Sequence, residues 1–300
     1  MANNHQSYLS AINRAIDAIV VDLRSNSALG DLASVAGFSP FHFHRIFRAL
    51  TGETPTEFRA RVRLEQALFR MAYDRSASLT DIAIDCGFGS GSSFSRAFKT
   101  RYGVPPSKFD IDRFRADRRQ EMSDNHHLVS LPDVEDLPAL DVKLRSLPAR
   151  SVAYLRVTRP YEDDRVLRAA RKLERWAEER NLADGQWLGY SWDVPEIVPL
   201  DKCRYDVGLE LPATPPGGMP ADPAVSQLRL PKMTVAEVEV SGSIELETEA
   251  LVWLYRAWLP ASGFAPADLP GFEAWVGRPF THGPDHFELR VQLPIVKPRG

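Results

Sequence analysis

Residues 29–47, LGDLASVAGFSPFHFHRIF, decide the architecture of the first third of the chain because they occur twice. Residues 79–88 read LTDIAIDCGF against LGDLASVAGF at 29–38. One extra residue in the following turn shifts the offset, and Phe43, Arg45, Phe47, Gly52, Pro55 and Phe58 recur as Phe94, Arg96, Phe98, Gly103, Pro106 and Phe109. An internal repeat of this size is one supersecondary unit used twice. Each copy predicts a short helix, a Gly-containing turn and a second helix, the form of a helix-turn-helix unit.

The turn chemistry marks the second helix in each copy. Ser39 can cap it, and Pro40 suits the first helical position, where its missing donor costs nothing. From that start Phe43, Ile46, Phe47 and Leu50 share one stripe and face inward, while Phe41, His44, Arg45 and Arg48 lie on the opposite stripe. In the second copy Ser90 is the cap, Phe94, Ala97 and Phe98 face in, and Ser92, Ser93, Arg96 and Lys99 face out. One copy alone reads equally well as a helical hairpin with a solvated face. Two copies with a basic residue at the same outward place, joined by an amphipathic pattern over 56–73, suit two recognition helices in successive major grooves.

The stretch GFGSGSSFSRAFKTRYGVPPSKF (Gly87 to Phe109) resembles the signature of the AraC/XylS family of bacterial transcription regulators. The resemblance covers roughly residues 9–115. It implies a seven-helix all-α domain with two helix-turn-helix units, in which Phe41, His44 and Arg45, then Gly91, Ser92, Ser93 and Arg96, read base edges. Arg48 and Lys99 complete the outward basic stripe. A Gly and two Ser offer little bidentate base recognition, so the second unit is expected to contribute mainly phosphate contacts and weak specificity.

Three hundred residues, 44% hydrophobic and 26% charged, predict about two globular domains. The net charge of -3 conceals an asymmetry: residues 1–120 hold 17 Lys/Arg against 12 Asp/Glu, a net +5, which leaves -8 for the remainder. A basic front and acidic rear fit one nucleic-acid-binding half. Cys86 and Cys203 lie in different predicted domains and suggest no disulfide framework. Cys86 stands where the first copy has Ala36 and reads as a small buried hydrophobe, with a redox sensor as the rival. No apolar run reaches membrane-spanning length, and the beginning MANNHQSYLSAINRAI lacks the apolar core of a signal peptide, so the expected compartment is the cytoplasm.

In chain order, residues 7–24 read as an amphipathic first helix carrying Leu9, Ile12, Ile16, Ile19 and Val20 at helical spacing. The tandem units follow. Beyond Arg115 the text turns polar and charged, and His126 and His127 read as solvated linker residues. The expected division is a DNA-binding domain over 1–116, a linker over 117–138 and a second domain over 139–300.

That second domain is itself built twice, more faintly. LRSLPARSVAYLRVTRPYEDD (Leu144 to Asp164) and LRLPKMTVAEVEVSGSIELE (Leu228 to Glu247) each give an apolar piece, a Pro turn, an alternating strand and an acidic run opening a helix. Helices are predicted over 166–181 and 245–259, followed by strand-like pieces at 187–193, 204–211, 271–276 and 286–293. Two βαββ units about a pseudo-twofold would form one curved antiparallel sheet with helices on it, an α+β domain with a groove between its halves.

All six tryptophans lie in this half, and each taken alone reads first as core. The odd residue is Glu273. In GFEAWV, alternation sets Phe272, Ala274 and Val276 on one face and Glu273 beside Trp275 on the other. A carboxylate flanked by rings costs free energy unless it is paired, so it reaches solvent or awaits a partner. A cation held by aromatics and balanced by that carboxylate is the physical form such sites take. The runs LPARSVAYLRV, LGYSWDVPEIVPLDKCRYDVGLELP, WLYRAWLPASGF and GFEAW resemble the GyrI-like small-molecule-binding domain over about 141–298. The resemblance places the family's acidic pocket residue at Glu273, with Tyr190, Trp192, Trp258 and Trp275 at aromatic pocket positions, and implies a bulky aromatic or cationic ligand.

His282 and His286 have metal-pair spacing, but the intervening Gly283 and Pro284 preclude a helix and no third and fourth ligand stands out, so neither metal nor cofactor is expected. No G-x-S-x-G elbow is present. The whole chain reads as a non-enzymatic transcription regulator with double-stranded DNA, RNA polymerase and a small effector as partners. Two rivals stand beside it: a C-terminal hydrolase or detoxifying enzyme with Glu273 as general base, and a ligand-free module that contacts polymerase.

Overall fold

Caps and turn glycines build the first third as the repeat requires. The computed structural model describes residues 2–74, 76–123, 137–213, 222, 224–283 and 285–298; His126, His127 and most of the Pro/Gly loop at 214–225 lie outside the described residues. Seven helices open the chain: α1 (Ala2–Val21), α2 (Leu29–Ala36), α3 (Pro40–Thr51), α4 (Pro55–Tyr73), α5 (Leu79–Asp85), α6 (Gly91–Tyr102) and α7 (Ile111–Ser123). The first helix stops at Val21, short of the expected residue 24, because the Asp22 carboxylate and carbonyl both accept from the Ser25 N–H, at 3.1 and 3.2 Å, and turn the chain.

The Ser39 hydroxyl accepts from the His42 N–H at 3.4 Å to start α3, and Ser90 accepts from Ser93 at 3.1 Å to start α6. Gly37 and Gly87, at φ of 78° and 81°, make the left-handed turns that precede them. At Gly87 a side chain would also meet the Leu23 carbonyl and the Arg63 guanidinium, so the second turn is closed to anything larger. The repeat extends into the packing. Phe43 and Phe47 meet edge to face at 5.5 Å, as do Phe94 and Phe98 at 5.5 Å; the next ring in each copy, Phe58 or Phe109, joins at 5.5 or 5.1 Å. All four of the first rings are fully buried, and each edge-to-face pair adds about 0.5–1.5 kcal/mol beyond its buried area.

The rest is α+β. Its strands are β1 (Lys143–Leu147), β2 (Arg150–Thr158), β3 (Trp187–Ser191), β4 (Arg204–Leu211), β5 (Ser226–Leu230), β6 (Met233–Gly242), β7 (Ala265–Pro266), β8 (Gly271–Trp275) and β9 (Phe287–Val296). Helix α8 (Arg165–Glu178) follows β2, and α9 (Ile244–Trp253) follows β6. Past α9 the helix widens into a π-helical turn, Leu254–Trp258, before the short α10 (Leu259–Ser262). The sheet order is β1-β6-β9-β8-β3-β4-β2-β5, with β7 on β9. The two βαββ units therefore meet at the β3–β8 pair, and an offset of 84 residues carries Trp187–Ser191 onto Gly271–Trp275. The apolar pieces β1 and β5 each pair with the other unit's first long strand, β6 and β2 respectively, an exchange that residue spacing did not reveal.

Two compact units result, one of Met1–Phe114 with Asp222–Ser226, the other of Arg115–Ala221 with Gln227–Gly300. Residues 117–123, expected in a linker, are helical in α7. Both cysteines are buried thiols, and neither is in a disulfide.

Candidate functional sites

In the first unit the arginines divide into two populations. Those of α4 are spent internally: Arg59 donates to the Ser27 carbonyl and Arg63 to the Leu23 carbonyl, Arg61 pairs with Glu53 at 2.6 Å and Glu65 at 2.8 Å, and Arg70 pairs with Asp85 at 3.1 Å. Those on the outward stripes are not. Arg45, Arg48, Arg96 and Lys99 are exposed, and among the described residues Arg45, Arg96 and Lys99 have no carboxylate partner. Phe41 stands 73% exposed beside them, with the Arg45 guanidinium 5.7 Å from its ring centre. His44 is half-buried, Ser92 is exposed and Gly91 opens α6. Ser93 has a different commitment. Its hydroxyl donates to the Ser90 carbonyl at 2.7 Å and accepts from the Ser90 N–H at 3.1 Å, closing a capping box.

In the second unit a carboxylate centre lies on the pseudo-twofold. Glu273 on β8 pairs directly with Gly189 on β3, and the same 84-residue offset relates the two. Where one copy carries the carboxylate the other carries hydrogen, because a Cβ at Gly189 would run into both the Glu273 carboxylate and the Tyr205 hydroxyl. The Tyr205 O–H donates to Glu273 Oε2. From α9, Glu247, only 4% exposed, is hydrogen-bonded to the same carboxyl group. Tyr161 brings a further phenol, and Tyr255, from the π turn, sets its hydroxyl beside Gly271 at the start of β8. A π turn inside an α-helix often marks a functional position, and here it carries Tyr255 and Trp258.

The electrostatics follow from burial with two acids in contact. Burial first, then the charge and hydrogen bond of Glu273, hold Glu247 well above the ordinary carboxylate value of 4.5. Burial raises Glu273 as well, while hydrogen bonds from Tyr205 and Glu247 pull it back. The Tyr161 and Tyr205 phenols are pushed far up by burial and by nearby negative groups, so both remain O–H donors at neutral pH.

The aromatic residues singled out with Glu273 separate. Trp275 shares its face of β8 by alternation and packs on Phe280 and Phe287 at 5.1 and 5.6 Å. Trp258 is half-exposed and stacks on Phe264. Tyr190 follows Gly189 and so points to the opposite face, into a core of Val152, Tyr154, Leu188, Phe272 and Ala274 with Trp192 against it. The Trp192 indole N–H donates to Asp206 Oδ2 at 2.9 Å. Glu247, Tyr161, Tyr205 and Tyr255 were missed. Two signals were available: Gly189 interrupts a strand, which marks a close approach, and Glu247 falls in phase with Ala250, Leu251 and Leu254 on the apolar stripe of α9. His282 and His286 each approach Glu288 Oε1, at 3.8 and 3.7 Å, and no group of three potential metal ligands is found among the described residues.

Comparison with known proteins matches a separate family model to each of the two sites. A helix-turn-helix domain model matches residues 32–110, and the GyrI-like small molecule binding domain model matches residues 140–296, more than half the chain. The chain belongs to the GyrI-like small-molecule-binding-domain family, and it carries a helix-turn-helix domain ahead of that domain. The helix-turn-helix match spans both α3 and α6, and the GyrI-like match contains every member of the carboxylate centre. A probable transcriptional regulator, LumQ of Photobacterium leiognathi, is 36% identical over 89 residues, 30% of this chain and 36% of its own. The uncharacterised HTH-type regulator YbfP of Bacillus subtilis is 31% identical over 116 residues, 39% of each chain. The chain thus spans well under half the length of these relatives. Among solved structures, the DNA-binding domain of AdpA in complex with a target DNA is 27% identical with a TM-score of 0.33, covering 37% of this chain and 98% of that one.

Proposed function

We propose that this chain is a cytoplasmic bacterial transcription regulator whose tandem helix-turn-helix units bind double-stranded DNA and whose GyrI-like unit binds an aromatic or cationic effector. One contrast carries the reading. The cations of α4 are engaged within the fold, by carboxylates or backbone carbonyls, whereas those of α3 and α6 are left exposed on the two helices that the repeat makes equivalent. Exposed unpaired arginines on repeated helices suit phosphate and base-edge contacts in successive grooves. Phe41, His44, Arg45, Gly91, Ser92 and Arg96 are the base-edge readers in this reading, Arg48 and Lys99 phosphate contacts; Ser93 contributes through its cap. Glu273, Trp275 and Trp258, joined by Tyr161, Tyr205, Tyr255 and Glu247, form the effector site, with Tyr190 and Trp192 shaping it from behind the sheet. Effector binding changes DNA occupancy or contact with RNA polymerase to the extent that it favours one conformational state over another.

The test is specificity. Arg45→Ala should weaken binding to a selected DNA site by about 1–3 kcal/mol and relax preference at one base position, whereas Lys99→Ala should weaken specific and random DNA alike. Equal losses on both DNAs for Arg45→Ala, at fixed salt, would overturn the assignment.

A second reading is favoured by one observation. Two hydrogen-bonded carboxyl groups with raised pKa values beside a phenol are also equipment for general acid–base chemistry, so the GyrI-like unit would be a hydrolase with Glu273 as base. Multiple turnovers of a bound compound, abolished by Glu273→Gln, would decide for it; stoichiometric binding decides for the effector site.

A further inference from the structure

The geometry points to a second small-molecule site, separate from the carboxylate centre: a cavity of about 210 Å³ between β6 and α9 that takes an arylalkylammonium ion. It shares no lining residue with the carboxylate centre, so it stands whether or not that centre binds an effector.

The cavity exists because two paired strands differ in length. β1 pairs with β6 from Leu147 opposite Met233 to Lys143 opposite Glu237, and β6 runs on to Gly242. Ahead of Lys143 the chain does not prolong the ladder over Val238–Gly242, and Pro138 has no N–H to offer one. A space opens there instead. It is lined by Leu137 and Leu140 from that segment, Val238 and Val240 from β6, and Leu246 and Trp253 from α9. The two valines share a face of the strand by alternation, and the two α9 residues lie two turns apart on one stripe of the helix. An apolar cavity of about 150 Å³ already holds a benzene ring, so this one admits a ring with a short side chain.

The polar lining sets the charge of the occupant. Glu249 lies one turn before Trp253 on α9, lines the same cavity, is half-buried, and has no hydrogen-bond or ion-pair partner among the described residues. Glu239 lines it as well. Its pairing with Lys143 is 3.5 Å long and exposed at both ends, a contact of little strength. No Lys, Arg or His is among the lining residues, and the stretch 124–136 contains no Lys or Arg that could supply the missing countercharge. A half-buried carboxylate set among apolar groups favours a ligand that brings its own cation. Trp253, half-buried beside it, adds the ring that attracts an ammonium group over its face most strongly. Apolar walls for an aromatic ring, a carboxylate and an indole together select an arylalkylammonium ion over a neutral or anionic compound of the same size.

The probes are 2-phenylethylammonium and its uncharged isostere 2-phenylethanol, titrated into the full-length protein labelled with ¹⁵N at tryptophan. Trp253 reports the cavity, its indole N–H resonance being the one lost in Trp253→Phe, and the other five tryptophans report the fold of each variant. At pH 7 the ammonium probe should shift the Trp253 resonance saturably and bind about fivefold more tightly than the alcohol, the strength of one half-exposed ion pair. Glu249→Gln should weaken the ammonium probe about fivefold and so erase its preference over the alcohol. Leu246→Trp, at a position 42% exposed and therefore open to a larger side chain, should fill the cavity and abolish the Trp253 shift for both probes. A preference for the ammonium probe that survives Glu249→Gln, equal affinity of the wild type for the two probes, or no Trp253 shift with either overturns the inference. So does a shift confined to Trp258 and Trp275, which would place the cation at the carboxylate centre and leave the effector-site reading standing.

Discussion

At the scale of single residues, the carboxylate centre shows what one side chain can signal about its surroundings. Glu273 is conspicuous because alternation in GFEAW puts it on a ring-bearing face, and its structural neighbours are a tyrosine hydroxyl and a second acid. Glu247 is silent for a different reason. It lies in SIELETEA, where acids crowd the first turn of α9 and read as dipole-compensating residues; only its phase relative to Ala250 and Leu254 sets it apart. A consequence for stability follows. Glu247 is raised above its ordinary 4.5 in the folded state, chiefly by burial. Its contribution is therefore fully present below that value, where both states are protonated, and is lost as pH rises through its folded pKa. Glu247→Gln escapes that loss. Thermal melts from pH 4.5 to 9 should show the melting temperature of Glu247→Gln gaining steadily on the wild type; a constant difference would mean that Glu247 is ionised in both states.

Elements were legible where local chemistry specifies them. Both second helices of the repeat begin at the anticipated Ser caps, and the Phe stripes pack as their spacing requires. The hidden features are long-range. Alternation within WLGYSW tells that Gly189 and Tyr190 face opposite ways, yet which of them shares a face with Glu273 depends on the β3–β8 register. That register sends Tyr190 into the core, and no spacing within one strand contains it. The exchange of β1 and β5 between the two βαββ units is hidden likewise, because a strand's partner is a tertiary choice. The π turn after α9 carries no breaker residue in LYRAW. At α6 the capping box is the element's start signal and is made by two serines. Ser90→Ala should cost about 1 kcal/mol of unfolding free energy, measured by urea denaturation of the helix-turn-helix unit within the full chain. It should also reduce DNA affinity by fraying Gly91 and Ser92. No change in either quantity would show that tertiary packing alone holds the start of α6.

For the molecule as a whole, the sequence sets a basic helical part ahead of an acidic sheet part, and the two compact units follow that order. The helix-turn-helix match falls within the first unit, and the GyrI-like match within the second apart from residues 222–226. Two repeated helices within one unit let a single chain contact two successive major-groove segments, so a dimer is not a requirement of the geometry. On the proposed function, the GyrI-like unit acts at this scale only by linkage: an effector would shift DNA binding by its difference in affinity between two states of the chain, and DNA would shift effector affinity by the same factor. DNA binding by α3 and α6 is the claim on which this coupling depends. Its most direct test is selection of bound sequences from random double-stranded DNA with the purified full-length chain, run in parallel with an Arg45→Ala, Arg96→Ala double variant. The wild type should enrich a motif of two segments about 10 bp apart on one face of the duplex, and the double variant should recover no such motif; a wild-type pool indistinguishable from the input library would contradict the account.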